Sequence, residues 1–143
     1  MSLIMTKKNT KVVSLIAVFI FSINLFADEE SSKRVIILQP GNGEEVNQTF
    51  EVYFGIEGMT LAPAGTYAPA TGHHHLIIDA DLPNLSLPIP SSSNYLHFGK
   101  GQDRTQLTLS PGKHTLQLIL GDGNHIPHKP PLISKTIEII VRP

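Results

Sequence analysis

The feature that most restricts this chain is a period of two. In "TFEVYFGIEG", Phe50, Val52, Phe54 and Ile56 alternate with Glu51, Tyr53 and Glu57. The rhythm returns in "HTLQLILGD", where Leu116, Leu118 and Leu120 keep step, and in "ISKTIEIIVRP", where Ile137, Ile139 and Val141 do. Side chains two apart on a strand share a face, so each segment is a half-buried strand. "RVIILQP", "HHHLIID", "YLHFGKGQ" and "RTQLTLS" supply further short strands, separated by turns such as "GNGEE" and "SPGK". Beyond residue 27 no helical period appears. About seven strands spread over roughly 110 residues predict an all-β fold, an immunoglobulin-like antiparallel β-sandwich. The Cys–Trp–Cys signature of true immunoglobulins is absent, since the chain has neither residue type.

The first 27 residues follow other rules. Lys7, Lys8 and Lys11 precede the apolar run "VVSLIAVFIFSINLF" (Val12 to Phe26), and "ADEE" follows. A basic start, a short apolar core and a small residue before an acidic segment predict a secretory signal peptide over residues 1–27, cut after Ala27. The run falls short of the about 20 apolar residues that a membrane span needs, and Ser14, Ser22 and Asn24 dilute it further. Leu25 is larger than a cleavage site prefers, which leaves retention of the leader as an anchor as the alternative. Residues 28–33 read as a charged tether and residues 34–143 as one sandwich domain. The expected location is the bacterial periplasm or the medium, with no membrane span once the leader is removed. Without cysteine the exported chain has no disulfides and no N-terminal Cys to carry lipid.

Removing the leader takes away three of the eleven Lys and Arg and none of the twelve Asp and Glu, leaving a net charge near −4. No basic stripe exists to neutralise phosphates, so nucleic acid is not an expected partner. Seven histidines set the chain apart instead: His73, His74, His75, His97, His114, His125 and His128. Protonating all of them would carry the net charge from near −4 to about +3.

Topology decides what the histidines can do together. Place "TFEVYFGI", "HHHLIID", "HTLQLIL" and the last strand at positions B, C, F and G of the sandwich. Strands C and F are then antiparallel neighbours, and the B–C and F–G loops share one pole. His73 and His75 point outward with Ile77 and Asp79, whereas His74 points inward with Leu76 and Ile78. Two imidazoles at i and i+2 lie about 6.5 Å apart at the backbone and can converge on one ion at about 2.0–2.1 Å. His125 and His128 on the F–G loop complete a metal site of four nitrogens, with His97 and the thioether of Met59 as additional candidates. An imidazole-rich site suits zinc or copper. Asp79 and Asp122 are candidates to fix imidazole tautomers from outside the ligand set; both are also ordinary strand-end and turn residues. The competing reading makes these histidines a polar rim bonded to carbonyls and water. His74 and His114 read as structural.

Catalytic signatures are missing. There is no G-x-S-x-G elbow, and Gly99 and Gly101 in "FGKGQ" precede no helix that would supply a phosphate site. Ile77, Ile119 and Ile140 form an outward apolar strip that either the crossover "LPNLSLPIP" or a second protein covers.

Taken together, "TGHHHLIID", "HFGKGQ", "PGKHTLQL" and "GDGNHIPHKPP" resemble a family of small exported bacterial proteins catalogued only as a domain of unknown function. The resemblance spans Tyr53 to Val141 and implies a secreted β-sandwich, without an activity. The expectation is therefore an exported domain that binds copper or zinc as a carrier, sensor or structural site. The alternatives are a metal-free module that binds another envelope protein or a polymer, and a metal-assisted enzyme. The oligomeric state is not legible.

Overall fold

Alternation decides the layers. In β3 (Thr49–Glu57) Val52 and Phe54 are buried, and Phe50 and Ile56 pack against them. In β8 (Gly112–Gly121) Leu116, Leu118 and Leu120 are fully buried, as are Leu76 in β5 (Thr71–Ile78) and Ile139 in β9 (Ile137–Val141). Each such side chain contributes roughly 1.5–3 kcal/mol by leaving water, which is why these strands hold their register. The computed structural model describes residues 32–143; the expected leader and most of the tether lie outside them.

Nine strands and no helix form among the described residues. To those above are added β1 (Arg34–Gln39), β2 (Glu45–Val46), β4 (Thr60–Leu61), β6 (Tyr95–His97) and β7 (Arg104–Thr108). One sheet has the order β1-β3-β7. The other runs β2-β9-β8-β5-β4, with β6 also paired to β5. The two face each other across one apolar core, making the β-sandwich. Two short pairs, β2 with β9 and β4 with β5, are parallel; the rest are antiparallel. The two strands beyond the expected seven are these two-residue pieces, too short to carry a period. No helix of the described residues is long and apolar enough to cross a membrane.

Register places the poles. Strand β5 runs antiparallel to β8, with His73 opposite Gly121 and Ile78 opposite Leu116. The start of β5 therefore meets the end of β8, and the loops before β5 and after β8 share a pole. Residues 62–65 tie that pole together by three backbone bonds: Ala62 N to Gly72 O, Ala64 N to Gly99 O, and Gly65 N to Gly123 O, each at 2.9 Å.

The outward face of β5 and β8 is not open. Ile77, Ile89 and Ile119 form a second buried cluster, with Ala80, Leu85, Tyr95 and Ile133 packed against it. Ile89 N donates to His125 O at 2.8 Å. The proline-rich crossover between β5 and β6 thus covers the apolar strip at Ile77 and Ile119. Ile140 is not part of that cluster.

Candidate metal centre

Four imidazoles meet on the covered face. His73 and His75 lie two apart on β5, are 0% and 1% exposed, and bring their Nε2 atoms to 3.2 Å. Strand β6 pairs antiparallel with β5 and sets His97 directly opposite His75. His125 arrives from the loop after β8. Ring centroids stand 5.0 Å apart for His73–His97, His73–His125 and His75–His97, and 4.7 Å apart for His97–His125. His73, His97 and His125 each offer a ring nitrogen, and these three atoms lie within 4.8 Å of one another. His73 is buried, His125 half-buried and His97 exposed, so the cluster opens to solvent on the His97 side.

Absent side chains make the space. A Cβ on Gly121 would stand 3.0 Å from His75 Nε2 and 3.3 Å from the Cα of His125. A Cβ on Gly99 would run into the ring of His97, which lies flush over that glycine. His125 sits in the left-handed region, with φ 67°. That conformation is uncommon outside glycine, and histidine is among the few residues enriched there. Asp122 enforces it. Its Oδ1 accepts from Asn124 N at 2.8 Å and Ile126 N at 2.9 Å, while its carbonyl accepts from His125 N at 2.9 Å.

Burial favours the neutral form of His73, His75 and His97. Desolvation, reinforced by the charges of His97 and His125, lowers the pKa of His73 to about 4. Desolvation and then the neighbouring His73 and His97 lower His75 to about 3. His97 is also lowered, by desolvation and then by His125. Neutral imidazoles carry the free lone pair that a metal needs. Neither Nδ1 of His73 nor Nδ1 of His75 meets a hydrogen-bond partner, so beyond the Nε2–Nε2 contact between them it is packing that aims these two rings.

The remaining candidates lie elsewhere. His128 is outside the cluster: its Nε2 comes within 2.9 Å of where a Cβ on Gly72 would stand, beside Leu120 of the inter-sheet core. Gly72 shares the inward parity of His74, so His128 approaches β5 from the opposite face. It lines a cavity of about 510 Å³ together with Met59, Lys33, Lys129 and Leu132. Met59 packs against the inter-sheet core, away from the four rings. Asp79 is at the far pole, where it accepts from His114 Nδ1 at 2.6 Å and Thr115 N at 2.8 Å. Asp122 stands beside the cluster but bonds backbone N–H groups, not an imidazole. His74 is fully buried against Phe54, ring centroids 5.2 Å apart, and desolvation followed by the charge of His73 lowers it to about 4. His97, an additional candidate in the sequence, joins the cluster. Its place depends on how the crossover re-enters the sheet, and one short strand does not reveal that.

Residues 52–142 match the family described as Domain of unknown function (DUF4399). The chain belongs to this family. The match takes in all four clustered histidines, both β5 and β8, and the crossover, so the site is built wholly from DUF4399 sequence. No curated protein and no solved structure matches the chain.

Proposed function

We propose that this chain is an exported β-sandwich domain that binds a transition-metal ion, zinc or copper, through His73, His97 and His125, as a carrier, sensor or structural site. One observation carries the reading: three strand and loop segments far apart in sequence bring imidazole nitrogens within 4.8 Å of one another. Imidazole nitrogens suit both ions, and the affinity order places copper(II) above zinc. Export rests on the basic, then apolar, then acidic start of the chain. The metal-free interaction module loses its most obvious surface, because the strip at Ile77 and Ile119 is covered by the chain itself.

Calorimetric titration of the metal-free protein with Zn(II) and Cu(II) at neutral pH tests the proposal. A saturable, one-to-one heat that His73→Ala abolishes is the expected result. Flat titrations with both ions would remove it.

A further inference from the structure

Whether such a centre carries a metal or does chemistry with it depends on the number of protein ligands. Three histidines and an open position describe a catalytic site, whereas four protein ligands describe a closed one. The undecided ligand is His75, which lies beside the trio.

The shape of the cluster bears on this directly. Six centroid distances connect the four rings. Five fall between 4.7 and 5.0 Å, and the sixth, His75–His125, is 5.9 Å. Imidazoles bound at about 2.0–2.1 Å place each centroid about 3.2 Å from the ion, so a tetrahedral set has all six distances near about 5.2 Å. A square-planar set has four near about 4.5 Å and two near about 6.4 Å, the long two joining opposite rings. In this cluster the pair opposite His75–His125 is His73–His97, and it measures 5.0 Å. No choice of opposite pairs gives two long distances. The His73–His75 contact agrees: two nitrogens on one tetrahedral ion stand about 3.3 Å apart, and here Nε2 meets Nε2 at 3.2 Å. Among the centroid distances only His75–His125 exceeds the tetrahedral value, and His125 is on a loop rather than a strand. The nitrogens of His73, His97 and His125, within 4.8 Å of one another, and that of His75, outside that set, close in on the ion as this loop moves.

We infer that His75 supplies a fourth nitrogen and that the four imidazoles form a closed tetrahedral centre selective for zinc(II). The inference rests on the metal-binding reading. Tetrahedral coordination suits an ion without d-electron geometric preference, as zinc is, and works against the tetragonal preference of copper(II). Copper(I) favours soft sulfur, and the thioether of Met59 is packed against the inter-sheet core instead. A closed shell leaves no position for a substrate, so the centre holds or passes on its ion and does not catalyse.

Cobalt(II) reports the difference, since four-coordinate cobalt absorbs visible light strongly and six-coordinate cobalt weakly. The protein loaded with cobalt(II) should show the strong bands, and His75→Gln should shift them, as water takes the vacated position, and bind zinc at least tenfold more weakly. Weak six-coordinate bands in the unmodified protein would overturn the closed centre even if the variant fails to fold. A His75→Gln protein with unchanged spectrum and zinc affinity would overturn it too, leaving a three-histidine site and the metal-binding reading intact. Absence of binding by zinc, copper and cobalt alike would remove both.

Discussion

At the scale of single residues, the centre depends on what is missing as much as on what is present. His97 lies over Gly99 and has no room to share. Gly99→Ala should therefore push the imidazole out of the cluster while leaving the core untouched. The expected outcome is a loss of zinc affinity of roughly tenfold or more, the range seen when a supporting partner of a metal ligand is removed, with little change in the melting temperature of the metal-free protein. Unchanged affinity would mean that His97 is not a ligand. Residue identities alone announced the histidines, and strand parity separated His73 and His75 from His74. Parity also reached Ile77, but not the fact that its outward face would be roofed over. The distance of His128 from the cluster was not legible, because its approach from the inner face depends on the bare backbone of Gly72.

At the scale of elements, the loop after β8 is the part that positions a ligand without a strand behind it. Asp122 fastens two backbone N–H groups there, and a hydrogen bond to a charged group is worth about 1.5–3 kcal/mol. Partial exposure reduces that value, so Asp122→Ala should cost about 1–2 kcal/mol in denaturant unfolding and weaken metal binding through the freed His125. Equal stability with equal affinity would show that the loop holds itself. The long strands were readable because Val52, Leu118 and Ile139 repeat at a spacing that only a half-buried strand explains. The pieces β2 and β4 were not, since two residues have no period. The place of β6 was open as well: the crossover before it has prolines but no rhythm, and that uncertainty passed directly to His97.

At the scale of the whole molecule, the histidines make folding depend on pH in two directions. Burial depresses the pKa values of His73 and His74 to about 4 and of His75 to about 3, against 6.5 for the free side chain. The unfolded chain then binds more protons than the folded one below pH 6.5, so stability is lost as pH falls toward 4. Each group contributes up to about 1.4 kcal/mol per pH unit in that window. His114 has the opposite sign. Desolvation lowers its pKa, but the Asp79 hydrogen bond, the Ser110 carbonyl and the Asp79 charge raise it further, so its contribution is present below its unfolded pKa and fades as pH rises through the folded one. Thermal melts of the metal-free protein should show a steep decline from pH 6.5 to 4; a flat profile would mean that the three buried rings are not desolvated as placed. The sandwich and the shared pole were legible from strand order, because antiparallel neighbours must exchange ends. The central claim is that the clustered imidazoles share one ion, and X-ray absorption at the zinc edge of the loaded protein tests it most directly. It should show nitrogen at about 2.0–2.1 Å with outer scattering from four imidazole rings; a shell dominated by water and carboxylate oxygen, with two rings or fewer, would contradict it.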